Sequence, residues 1–276
     1  MNIDLKNKNV LVTGGAGFVG SNIVGILLNK GAKVTVLDNL FTGSKDLLPD
    51  HKNLTFIEGD VCDDSLIEKL VQEFKLIIHA AAKNIIISTK NPYEDYETNI
   101  GGTLKWLIAC KKYGVEKFVY TGSASVYGNP SVIPIPESSA IYTLSPYAVS
   151  KLAGENYCIS FYESYNLPTT IVRYSNVYGV NQDPNNPYCG VVSKFFEKAL
   201  NNEPILIHGD GEQTRDFTYV NDTALATVEA LTNSKSIGNI FNTGSGYEVS
   251  INTLAEKIIK LSGSKSTIQH IDKRDI

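Results

Sequence analysis

The chain is expected to fold as an α/β protein, a doubly wound parallel sheet with a smaller, discontinuous lobe, and three features of its 276 residues predict this. An apolar run at 10–12 breaks into glycines at 14, 15, 17 and 20, and a helical apolar pattern follows at once at Ile23, Val24, Ile26, Leu27 and Leu28. A second apolar run, 33–37, ends in Asp38, eighteen residues past Gly20. Strand-like and helix-like patterns then alternate through the first two-thirds of the chain, as a parallel sheet with crossover helices requires.

Each element has a local reason. Glycine serves where the chain turns sharply or where backbone approaches a ligand with no Cβ in the way. The helix that opens after Gly17 presents unpaired N–H groups and the positive end of its dipole, which suits a pyrophosphate. Asp38 is placed to accept from both hydroxyls of a ribose, as in NAD rather than NADP. Further strands are expected at 54–57, 76–79, 117–120 and 169–173, with helices at 65–74, from about 92 to 113, and at 147–165. Pro92 suits a first helical turn and Gly114 a C-terminal stop. From Asn176 the texture changes. Residues 181–190, rich in Asn, Pro, Asp and Gly, read as a loop before a helix at 191–200, a short strand at 205–208 and a final helix at 251–261. The division that follows is a Rossmann domain of 1–175 plus about 219–245, and a second lobe of about 176–218 plus 246–276.

Composition excludes several classes. A net charge of −4 and the lack of any Lys/Arg-rich run argue against a nucleic-acid surface. The longest apolar runs, such as 76–78 and 85–87, are too short to span a bilayer, and the N-terminus has no apolar signal core. Cysteines at 62, 110, 158 and 189 lack the pairing of a zinc site or a disulfide framework. The expectation is therefore four reduced thiols in a cytoplasmic protein without a metal. The histidines at 51, 79, 208 and 270 are scattered, and His79 is expected to cap a strand end near the cofactor.

Parallel strands send their C-terminal ends to one edge, where ligands bind. Gly14, Gly17 and Gly20 follow the first strand and Asp38 the second. Asp60 after the third could accept from an adenine amino group, and Ala80, Ala81 and Ala82 after the fourth let a cofactor lie against the backbone. Tyr147 and Lys151 stand one helical turn apart, and Ser123 ends the fifth strand. A tyrosine titrates ordinarily near 10, so a neighbouring ammonium and a cationic nicotinamide are needed to favour its phenolate. Ser123 can then hydrogen-bond the reacting oxygen and pass its proton. With 15 tyrosines and 22 lysines, about one Tyr-x-x-x-Lys arises by chance. A second one, Tyr113/Lys117, straddles the helix-stopping Gly114 and runs into a strand, so its role is expected to be structural.

These motifs resemble the extended short-chain dehydrogenase/reductases, and within them the NAD-dependent sugar-nucleotide epimerase/dehydratases, most closely those that epimerise UDP-glucose at C4. The matching segments are 13–20, 38–43, 59–61, 79–82, 99–103, 122–128, 145–151, 173–179 and 209–220, in family order. The resemblance implies that Phe18, Val19, Asn39, Val61, Asn99 and Tyr174 join the glycines, Asp38, Asp60, the alanines, Tyr147 and Lys151 around NAD. It implies that Ser123, Ser125, Asn176, Arg215 and Arg274 face a nucleotide-diphosphate sugar, with Ser123, Tyr147 and Lys151 catalytic. The implied reaction is C4 epimerisation of a UDP-hexose, glucose/galactose or their N-acetylamino forms, through a transient 4-keto sugar. An NAD(P)H-dependent 4-keto-sugar reductase is the alternative, and a non-catalytic NAD-dependent scaffold a third. Dehydratases of the family resemble Thr-Asp-Glu where this chain has Ser123-Ala124-Ser125, without a carboxylate. The family also implies a homodimer, with helices 92–113 and 147–165 pairing into a four-helix bundle. Three departures stand out: the 83–88 loop is one residue short, Ser175 replaces a bulky aromatic, and relatives continue for some tens of residues beyond the position of Ile276.

Overall fold

A computed structural model describes residues 2–184, 186 and 189–272. β1 (Asn9–Thr13) runs into α1 (Phe18–Asn29), β2 (Lys33–Asp38), β3 (Leu54–Glu58), α2 (Asp64–Glu73) and β4 (Leu76–His79). Next come α3 (Ile85–Lys90) and α4 (Pro92–Asp95), which continues through a wider π-helical turn, Tyr96–Gly102, into α5 (Thr103–Tyr113). β5 (Lys117–Ser123), α6 (Pro146–Tyr165) and β6 (Thr169–Tyr174) complete the first run. The remainder is β7 (Asn176–Tyr178), α7 (Val191–Leu200), β8 (Ile205–His208), β9 (Thr214–Arg215), β10 (Phe217–Tyr219), α8 (Val220–Thr232), β11 (Ile240–Thr243), β12 (Val249–Ser250), α9 (Ile251–Ser262) and β13 (Ile268–Ile271).

Seven strands pair in parallel in the order β11-β6-β5-β4-β1-β2-β3. Strand order reverses between β1 and β4, so a crevice opens at their C-terminal ends. Side chains alternate across the sheet. Val10, Val12, Val36, Ile78 and Val119 pack one face against α1 and α8 through Ile23, Leu27, Val228 and Leu231. Leu11, Leu37, Ile77 and Phe118 pack the other against Trp106, Leu107 and Phe161. β11 extends the sheet beside β6, Ile240 against Ile171. A third, smaller core gathers Val192, Phe195, Ile205, Ile207, Ile251 and Ile258.

Three local features depart from the expected pattern. β5 runs on to Ser123 because Thr121-Gly122-Ser123 pairs with β6, ending at Ser123 opposite Tyr174, although those residues carry no apolar signal. The segment 83–88 contains the start of α3 rather than only loop, since Asn84 Oδ1 caps it by accepting from the N–H groups of Ile86 and Ile87. The long helix near 92–113 carries a π turn that no periodicity announced. The second Tyr-x-x-x-Lys is indeed split. Gly114 adopts φ +63° and ends α5, the Tyr113 hydroxyl turns to Glu68, and Lys117 is buried with Nζ donating to Ser236 Oγ at 2.8 Å. All four cysteines are free thiols, and among the described residues no helix is long and apolar enough to cross a membrane.

Leu231 is wholly buried in the core shared by α1, α8 and the sheet. Leu231→Ala should lower the unfolding free energy by about 2–5 kcal/mol, read from the urea midpoint.

Candidate active site

The cleft at the switch point holds about 400 Å³. Gly14, Gly17, Phe18, Val19 and Gly20 form its floor. Gly14 has φ +67°, and a Cβ there would lie 2.6 Å from Ala81 N. A Cβ on Gly20 would run into Gly14 O, so β1 and α1 meet only as glycine backbone. Gly17 caps α1 with no side chain, leaving first-turn N–H groups for a ligand anion. Asp38 closes β2 nearly buried; its Oδ2 accepts from Ala16 N at 3.0 Å and its Oδ1 from Leu40 N at 2.8 Å. Burial pushes its carboxyl up and those N–H groups oppose the rise. Each oxygen keeps a lone pair for a ribose hydroxyl.

One wall, Ala80–Lys83, hangs from two buried side chains. Thr103 Oγ1 donates to Asn99 O at 2.7 Å, and so accepts from His79 Nε2 at 3.2 Å. His79 Nδ1 then accepts from Thr13 Oγ1 at 3.0 Å, and Thr13 Oγ1 accepts from Ala81 N at 3.2 Å. Burial, with Lys151 adding, holds His79 down to about 3, so it is neutral. At the wall's far end Asn99 Oδ1 accepts from Lys83 N at 2.7 Å while its Nδ2 donates to Lys83 O at 3.1 Å. Lys83 itself lies 3.5 Å above the Phe41 ring and 2.5 Å from Glu94 Oε1, at the rim.

Opposite stand Ser123, Tyr147 and Lys151. Ser145 caps α6 by accepting from Ala148 N, and Pro146 starts it, which sets Tyr147 and Lys151 on its first two turns. Ser123 Oγ accepts from Ser125 N at 3.2 Å and Ser125 Oγ at 2.9 Å, so its own proton is left to donate. It faces the Tyr147 phenol and favours the anion there. Burial nevertheless holds Tyr147 above the ordinary phenol value, and Asp95 and Glu155 push the same way. Lys151 is almost fully buried, its Nζ 4.3 Å from the centre of the Tyr120 ring, and burial brings it down to about 8.

The cleft brings together the five floor residues, Asp38, Asn39, Val61, Ala80, Ala81, Ala82, Ser123, Tyr147, Lys151 and Tyr174. Other expected contacts lie off its lining. Asp60 points away, accepting from Asn39 Nδ2 and Cys62 N, and Asn99 stands behind the wall. Ser125 is outside that lining and donates from Oγ to Ser123 Oγ at 2.9 Å. Asn176 is exposed, with Nδ2 donating to Asp216 O, and Arg215 is exposed on β9, its Nη1 donating to Thr214 O. Arg274 falls outside the described residues. Phe41, Thr42, Lys83, Thr98, Val177, Gln182 and Gly190 line the cleft without having been foreseen. Phe41 and Thr42 sat inside the 38–43 motif and could have been taken from it; Gln182 and Gly190 sit in a loop with no such signal.

Residues 10–244 match the NAD dependent epimerase/dehydratase family. A Methanocaldococcus jannaschii protein described as a "Putative UDP-glucose 4-epimerase" is 42% identical over 90% of this chain and 81% of its own. The UDP-N-acetyl-alpha-D-glucosaminuronate decarboxylase of Bacillus cytotoxicus is 35% identical over 96% of this chain and 83% of its own. The structure superposes on the UDP-glucose 4-epimerase of Thermotoga maritima, solved with UDP-glucose, with TM-score 0.92 and 36% identity over 97% of this chain and 86% of that one. The chain belongs to the NAD dependent epimerase/dehydratase family, and its cofactor is NAD.

The cradle fits that cofactor through its bare glycine backbone and Asp38. Asp38→Ala should weaken NAD binding by about tenfold to a hundredfold in a direct titration. Gly20→Ala, which sets a methyl against Gly14 O, should purify without NAD.

Proposed function

We propose that this family member acts on nucleotide sugars and interconverts the C4 epimers of a UDP-hexose. Tyr147 as phenolate takes the proton of the C4 hydroxyl, and Ser123, its lone pairs occupied by Ser125, donates to the same oxygen. Lys151, one turn along α6, sets a positive charge beside the phenolate. NAD held by the glycine floor and Asp38 would supply the hydride chemistry at C4, oxidation of the alcohol and reduction of the ketone from either face. Proton return from Tyr147 then restores the hydroxyl, and the resting state with it.

One observation carries the choice of epimerisation. Among the described residues of the cleft the only carboxylate is Asp38, at the ribose end, and the end with Thr121, Ser123, Tyr147 and Lys151 carries none. Loss of water from the sugar needs an acid to protonate the departing hydroxyl, and Ser123-Ala124-Ser125 supplies none. Ser175 in the lining leaves room for a substituted sugar, so N-acetylamino hexoses are included.

The reading also takes the protein as a dimer. Tyr93, Tyr96, Ile108, Val149 and Ile159 are exposed along α4, the π turn, α5 and α6, which pack side by side. Leu107 turns inward and leaves Ile108 outside. A surface of that kind on neighbouring helices fits a second copy laid across it.

Denatured protein should release about one NAD per chain, and native protein should interconvert UDP-glucose and UDP-galactose without added cofactor. An empty site, with turnover only on added NAD(P)H and a 4-keto sugar, would establish the reductase instead. Tyr147→Phe should keep its NAD and lose turnover by about a hundredfold or more. Ile108→Asp should convert a dimer to monomer in light scattering; a wild type that is already monomeric counts against the dimer.

A further inference from the structure

Behind Lys151, on the same face of α6 and one turn further from the cleft, lies Glu155, which is completely buried. Its Oε2 accepts from Arg173 Nε at 3.0 Å and Nη2 at 2.7 Å. Arg173 is held in turn by donating from Nη1 to the Tyr127 hydroxyl at 2.5 Å, and Tyr127 donates to Asn242 Oδ1 at 2.8 Å. The other carboxylate oxygen, Oε1, is buried with no close side-chain partner, and the backbone N–H of Ser123 favours the charged form of the carboxylate. It lies against Gly122, just before the Ser123 that ends β5, and a Cβ on Gly122 would come within 2.5 Å of it. Burial pushes the Glu155 carboxyl up, and Arg173, Lys151 and the Ser123 N–H oppose that rise, so its charge is costly to keep. The fold nevertheless keeps it one turn along α6 from the buried Lys151 ammonium.

We propose that Glu155, which touches no reactant, is a positioning residue whose fixed negative charge keeps Lys151 cationic inside the closed cleft wall. This rests on the proposed role of Lys151 beside Tyr147. The groups around the ammonium are Tyr147 and Cys158 on α6, Asp95 on α4, Tyr120 on β5, neutral His79 on β4, and Arg173 on β6 behind Glu155. Asp95 also favours the ammonium, but Ser88, Asn99 and Ser150 already hydrogen-bond its Oδ1. Glu155 also opposes the Tyr147 phenolate, yet from two turns away, about 12 Å along the helix, against one turn for Lys151. Lys151 is the nearer of the two to Glu155 along α6.

The test titrates Lys151 directly in the protein as purified, with isotope-labelled lysine and NMR, the Lys151 signal being assigned by its loss in Lys151→Arg. In Glu155→Gln the Lys151 midpoint should fall by about one pH unit, Arg173 offsetting part of the charge removed, and Glu155→Asp should restore most of it. The alkaline limb of turnover should move down with it. A folded Glu155→Gln whose Lys151 titrates as in wild type overturns the proposal. Should Glu155→Gln not fold, Glu155→Gln/Arg173→Met removes both charges; a lowered midpoint supports the proposal and an unchanged one overturns it. Because the titration needs no sugar, failure of wild-type protein to turn over UDP-hexoses counts against the proposed reaction and leaves this result to stand.

Discussion

The site depends on burying charge. α6 crosses the end of β5 with Lys151, Glu155 and, from β6, Arg173 all inside the protein. Taking such groups out of water costs several kcal/mol per ion, which only close geometry and further hydrogen bonds offset. Arg173 meets that condition with two contacts to Glu155 and one to Tyr127, whose hydroxyl ties onward to Asn242 on β11. The last strand of the sheet is thus joined to the helix that carries Tyr147. A shift of α6 along β5 would strain this pair as it moved the phenol, so the pair helps hold the phenol in place.

The cofactor side is built on the opposite principle. Glycine backbone at the β1–α1 crossing leaves no side chain to adjust, and its shape comes from excluded volume. The facing wall is tuned by hydrogen bonds, with neutral His79 at one end and Asn99 at the other. The wider π turn carries Asn99, and such turns recur where a helix must aim a side chain at a functional region. Thr103 joins the two supports, so the wall behaves as one piece.

What could be read beforehand divides along the same line. The parallel core and the glycine floor were legible because apolar runs and glycines report directly on burial and close approach. Tyr147 and Lys151 were legible because Pro146 and helical spacing set them on one face, and Gly114 disqualified the other pair. Ser125, Asn176 and Arg215 were placed by resemblance alone; they are outside the cleft lining and each hydrogen-bonds a neighbour. No local pattern shows which way a polar side chain turns once strands as short as β7, β9 and β10 have paired. Glu155 was passed over for a related reason. A carboxylate eight residues after a tyrosine on a helix is ordinary, and only its burial opposite Arg173 makes it otherwise.

The electrostatics of Tyr147 follow from this arrangement. Burial, Asp95 and Glu155 all favour the neutral phenol, and Ser123 alone among its hydrogen-bond partners favours the anion. Lys151 is weakened by its own burial to about 8, so it holds a proton at neutral pH with a margin of about one unit. A site so balanced keeps its base protonated until more positive charge arrives. Oxidised nicotinamide carries that sign, and the cleft that would hold it is walled by Ala80–Ala82 on one side and by Tyr147 and Lys151 on the other. In the proposed reaction, proton removal would then be tied to the presence of the hydride acceptor, because the charge that would favour the phenolate belongs to the group that would take the hydride.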